Sequence, residues 1–215
     1  MRAAKTGWRG GIGGYLRRRW AALILAVLAL TAGFVAGRQG AGRLDAAEWA
    51  DLAVQVELSL QTMLEEPSVR AAALRGALID DVAKPVASMW LLGLTLIGAP
   101  LILYLLFLNG LAVGFTAEFV LSDPSAGPLW AAALLGPHNV LAMPGLALAA
   151  ASALHFAAAA LGILLRSRRT RGGVGVHLLA ASGGSAAAGL MLLGALLVET
   201  YVTPLLVAFV LRPGP

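Results

Sequence analysis

The chain contains no cysteine. That excludes disulfides, thiolate nucleophiles and cysteine-ligated metals. Histidine is scarce, with three in 215 residues, and no phosphate loop, dinucleotide fingerprint or metal-ligand spacing occurs. Charge is scarcer still: Asp, Glu, Lys and Arg make up 13% of the chain, against ~25% in soluble domains. So few charges cannot cover a water-facing surface, and a soluble globule is excluded. The net charge of +5 does not point to nucleic acid, because the basic residues cluster beside apolar runs, where they signal membrane topology.

What the chain has instead is apolar length. From Val86 to Leu121 the only charged side chain is Glu118. A helix needs ~20 apolar residues to cross ~30 Å of hydrocarbon, so this run holds a helix, a tight turn at Asn109–Gly110 and a returning helix. The fold class expected is all-α: a polytopic membrane protein of about five transmembrane helices, with an extracytoplasmic helical hairpin and a broken third span. The spans fall at residues 20–37, 85–108, 110–137, 138–165 and 176–198. The third is interrupted by Ser122–Pro128, with Trp130–Leu135 as a short second piece near the outer surface, a buried re-entrant segment being the other reading. The first follows six basic residues and exceeds the 7–15 residues of a signal-peptide core, so it is read as a retained span.

Lysine and arginine set the orientation. Residues 1–19 form a basic amino terminus and 166–175 a loop with Arg166, Arg168, Arg169 and Arg171; both belong in the cytoplasm. Residues 38–84, with eight acidic and five basic residues, and residues 199–215 then lie outside. In the outer segment Asp45 and Glu48 have capping-box spacing. Trp49, Leu52, Val56, Leu60 and Met63 follow at steps of three or four, forming one apolar face. Pro67 begins a second helix, with Val69, Ala73, Ala77 and Val82 or Ile79 facing inward. Leu205–Leu211 is too short to cross and is expected at the interface or dipping into it.

Ionisable and polar groups inside a membrane are costly and mark function by default. Glu118, His138, Asn139, Glu199 and Tyr201 all fall toward the outer leaflet on this topology. They form either a hydrogen-bonded structural cluster or a partner or ligand site. His155 reads as a neutral interhelical residue and His177 as interfacial. Small residues four apart at Gly33/Gly37, Gly110/Gly114 and Ala181/Ser185/Gly189 permit close helix packing, within the chain or between copies. Ala180-Ala181-Ser182-Gly183 only approximates an intramembrane serine-protease motif and has no matching histidine. Glu118 and Glu199 sit in apolar helix ends rather than the open wet cleft that glycan hydrolysis needs. No catalytic residue, cofactor or metal is expected.

Met89–Ile102 resembles the signature second span of the stage II sporulation protein M family. Phe107–Thr116 resembles that family's turn and third span, Leu134–Asn139 with Pro144 its proline–polar–asparagine stretch, and Glu199–Pro204 its carboxy-terminal motif. The resemblance implies a non-enzymatic membrane component of the engulfment machinery of endospore-forming bacteria, on the mother-cell side of the septum. It implies recruitment of the peptidoglycan-degrading stage II sporulation proteins D and P for septal wall thinning. Asp45, Glu48 and Asp51 on the outer helices are then candidate partner contacts; membrane lipids and further copies of the chain are other partners, and nucleic acid is not. The rival reading is a transporter or channel subunit using Glu118, His138 and Glu199.

Overall fold

The computed structural model describes residues 12–45, 47–52, 54, 58, 74–95, 97–122, 128–165 and 174–210. All regular structure among them is helical. Helix α1 (Ile12–Ala41), α2 (Lys84–Gly93), α3 (Gly98–Ser122), α4 (Pro128–Leu165), α5 (Val174–Leu197) and α6 (Thr203–Val210) form the bundle. Two π-helical segments, Leu78–Ala83 and Val198–Val202, lead into α2 and α6. Four helical stretches are long and apolar enough to cross a membrane: Trp20–Ala41, Gly98–Ser122, Leu135–Leu161 and His177–Leu206. The chain is an all-α polytopic membrane protein.

Helices α1 and α3 run parallel with their backbones in contact. A Cβ on Gly33 would meet the Phe107 carbonyl oxygen at 2.0 Å, and one on Gly37 the Leu111 oxygen at 2.1 Å. Reciprocally, Gly110 faces the Leu30 oxygen at 2.1 Å and Gly114 the Phe34 oxygen at 2.0 Å. Residue numbers rise together on both helices, so the seam is parallel. Lipid tails are as apolar as leucine side chains, so helices in a bilayer associate through such close packing rather than through exclusion from water. The Gly33/Gly37 and Gly110/Gly114 pairs are therefore packed against each other within one chain.

Two parallel helices require the chain to return between them. That return is α2, which lies in the bundle core: Met89 is buried, Gly93 abuts Ala153 of α4, and Trp90 Nε1 donates to Ser182 Oγ of α5 at 3.1 Å. Helix α4 is central, with alanines at 142, 147, 149, 150 and 153 all buried. Helix α5 runs antiparallel to it, with Leu192 beside Gly145 and Gly194 beside Leu141.

The turn between α2 and α3 differs from the sequence expectation. It lies at residues 94–97, not at Asn109–Gly110, through which α3 runs unbroken. Asn109 Nδ2 donates to the Leu105 carbonyl of its own helix at 2.8 Å, and Gly110 serves the α1 seam. The actual turn is closed by Leu94 N to Leu91 O, Thr95 N to Leu92 O and Gly98 N to Thr95 O. A Cβ at Gly98 would collide with the Leu92 oxygen, and Pro100 sits in the first turn of α3, where no intrahelical N–H bond is lost.

Other boundaries move with it. The interruption expected within a third span falls between α3 and α4, at residues 123–127, outside the described residues. Trp130–Leu135 belongs to α4, which continues through Pro137 and Pro144. The chain also stays helical past Val198, so Thr203–Val210 continues the line of α5. In the outer segment, Trp49 and Leu52 dock on Phe119, Val120 and Leu135 at the ends of α3 and α4. Val82 is buried where Ile79 is exposed. Val56, Leu60, Met63, Pro67, Val69 and Ala73 lie outside the described residues.

Candidate functional site

The polar residues gather at the end of the bundle opposite the 94–97 turn, in two groups. In the first, Arg38 Nε at the end of α1 donates to Glu118 Oε2 near the end of α3 at 2.6 Å. This pair continues the α1–α3 register one turn beyond Phe34 and Gly114. It neutralises the carboxylate that the sequence leaves alone in its apolar run.

The second group joins three elements. His138 of α4 has its Nδ1 3.0 Å from Glu199 Oε2. The approach is an ion-pair contact, off the line of a well-formed hydrogen bond, and Nδ1 is buried without another partner among the described residues. Asp81 lies close enough to feel the charges of both Glu199 and His138. Its carboxyl is raised above the usual 3.8, first by burial and then by Glu199, with His138 offsetting part of the rise and Asp80 adding to it. Asp81 lies outside the four long apolar stretches. Lys84 pairs with Asp80, one turn away.

Local sequence explains why these carboxylates lie near His138. Each sits in a π-helical segment that ends two residues before a proline: Leu78–Ala83 before Pro85, and Val198–Val202 before Pro204. Proline cannot donate to the carbonyl four residues back, and its ring crowds that oxygen. The preceding turn widens by one residue, so Lys84 N bonds Ile79 O and Thr203 N bonds Val198 O. Thr203 Oγ1 also reaches Val198 O, at 3.4 Å. Such widened turns recur at functional positions in helices.

The other candidates are dispersed. Asn139 Nδ2 bonds the Leu135 carbonyl of its own helix at 2.8 Å, and its side chain lines a cleft of about 580 Å³ between α1, α3 and α4. Tyr201 is exposed. Asp45 and Glu48 form a reciprocal capping box: Asp45 N donates to Glu48 Oε2 at 3.0 Å, and Ala47 N and Glu48 N donate to Asp45 Oδ1 at 3.0 and 2.8 Å. Asp51 is exposed on the same helical turn. Trp49 is stacked on Phe119 with ring centroids 4.2 Å apart at 15°. His155 and His177 face each other across α4 and α5 at 6.3 Å. No group of three metal-binding side chains occurs among the described residues.

Arg38 and Asp81 are the site residues that sequence reading missed. The second had a signal, since Asp81 lies four residues before Pro85 much as Glu199 lies five before Pro204. Arg38 had none beyond ending an apolar run.

Compared with known families, residues 20–204 match the description SpoIIM: Stage II sporulation protein M. The chain belongs to the stage II sporulation protein M family. That match covers both polar groups and all of the apolar stretches except the last two residues of the fourth. Comparison with curated proteins and with solved structures gave no match. Membership identifies a sporulation-related membrane protein, and SpoIIM is not known as an enzyme family.

Proposed function

We propose that the chain is a non-enzymatic membrane scaffold of the sporulation engulfment machinery. It sits with its amino terminus in the cytoplasm, on the mother-cell side of the septum, and recruits stage II sporulation proteins D and P so that septal peptidoglycan is thinned. Family membership over residues 20–204 carries this reading. The docked outer turn supports it: the Trp49–Phe119 stack fixes residues 47–52 to the bundle and leaves Asp51 exposed toward an external partner. Asp45 and Glu48 are committed to the helix cap, so Asp51 is the contact to test.

Two measurements test the proposal. Deleting the gene in its spore-forming host arrests septal thinning. Asp51→Lys lowers co-purification of D and P while the protein still inserts. Normal thinning in the deletion strain contradicts the scaffold role, and unchanged co-purification contradicts the contact.

A second reading is favoured by one observation. The grouping of His138 with Asp81 and Glu199, the two carboxylates on widened turns, suits a proton- or ion-coupled transporter subunit. Ion-coupled flux in vesicles that is lost in Glu199→Gln would establish that reading over scaffolding.

A further inference from the structure

We propose that this chain self-associates head to tail in the bilayer, the outward ridge of α3 in one copy seating in the groove between α2 and α5 of the next. The groove holds about 270 Å³ and is lined by Val86, Ala87, Trp90, Ser185, Ala186 and Gly189. It is open where Gly189 lies, since no atom comes within 4 Å of a Cβ built there.

Small residues alone do not identify an occupant; Ser185 does. It is 5% exposed, lines the groove, and has no hydrogen-bond partner among the described residues. Other hydroxyls in the bundle are engaged: Thr31, Thr116 and Thr200 bond their own backbones, and Ser182 accepts from Trp90. A hydroxyl turned into a groove at membrane depth calls for a polar group on whatever fills it. An acyl chain offers none.

The chain itself offers Tyr104. Its side chain is 57% exposed on the lipid-facing ridge Leu101–Tyr104–Leu108, and its hydroxyl likewise has no partner among the described residues. The depths agree. Tyr104 stands six residues beyond Gly98 and Ala87 six residues before Gly93, on either side of the same 94–97 turn. Each is therefore about 9 Å above that turn at ~1.5 Å per residue. Helices α3 and α5 run in the same direction, so the ridge and the groove stay in register in a second copy with the same orientation. Ridge and groove occupy different faces, so the contact is heterologous and builds a ring or a row.

Disulfide mapping tests this, because the native chain has no cysteine. Two differently tagged copies are co-expressed, one carrying Tyr104→Cys and the other Ala186→Cys, and isolated membranes are oxidised. A second pair, Leu108→Cys with Gly189→Cys, samples the next turn outward. Mixed-tag cross-linked dimers are expected from both pairs. In otherwise unmodified protein, Tyr104→Phe lowers energy transfer between labelled copies in vesicles, with affinity reduced about threefold. Cross-linking confined to Ala186→Cys with itself would replace the proposal with a two-fold face. Absence of cross-links in both pairs, or association unchanged in Tyr104→Phe, would overturn it.

Discussion

Gly110 shows how one residue type can be read correctly as special and wrongly in role. Beside Asn109 it looks like a turn, yet it lets the Leu30 carbonyl approach where any Cβ would collide. Gly110→Ala should therefore push α1 away from α3 and destabilise the bundle by about 1–3 kcal/mol, measured by thermal unfolding in nanodiscs. A turn glycine there would resist alanine through its backbone dihedral instead, leaving the α1–α3 spacing unchanged. Asp81 permits a pH prediction with a definite sign. Its raised pKa means the fold favours the protonated acid. That contribution is complete below the usual carboxyl range near 3.8 and is lost as pH rises through the raised value. Asp81→Asn should unfold at a higher temperature than the parent at pH 7, with the difference shrinking as pH falls toward 4. An equal difference at all pH values would rule out this origin. Arg38→Glu should destabilise by placing two carboxylates together, and the exchange Arg38→Glu with Glu118→Arg should restore most of the loss.

Elements were legible where composition alone decides them. The apolar run from Trp20 and the alanine-rich helix α4 declared themselves by length without charge, whereas α3 straddles two spans expected from the sequence. Boundaries were less legible because prolines do not end helices inside this bundle. Pro137 and Pro144 lie within α4, and Pro85 and Pro204 are absorbed by widening the turn before them. In water such a defect exposes backbone to competing solvent. In a packed membrane bundle the defect is tolerated where protein surrounds it, and the Val198 carbonyl here accepts from both the Thr203 N–H and Oγ1. Replacing both Pro85 and Pro204 by alanine removes the cause of the widening. The turns should then revert to α-helical geometry, rotating Asp81 and Glu199 away from His138. Loss of the His138–Glu199 coupling in a double-mutant cycle on the alanine background is the expected result, and persistence of full coupling would show that proline does not set the geometry.

At the scale of the molecule, the parallel seam between α1 and α3 organises the rest. It forces α2 to return through the core, carries Asp81 to His138, and leaves the α3 ridge facing lipid. The sequence placed Glu118, His138 and Glu199 at one end of the bundle, but their pairings depend on which helices are neighbours, and helical periodicity does not encode that. The most direct test of this architecture is single-cysteine labelling of intact and opened membrane vesicles with an impermeant maleimide, using Asp51→Cys, Ile97→Cys and Leu108→Cys in the cysteine-free chain. Positions 51 and 97 should react from opposite sides, and position 108 from neither. Reaction at 108 with protection at 97 would put the turn back at Asn109–Gly110 and contradict the parallel seam.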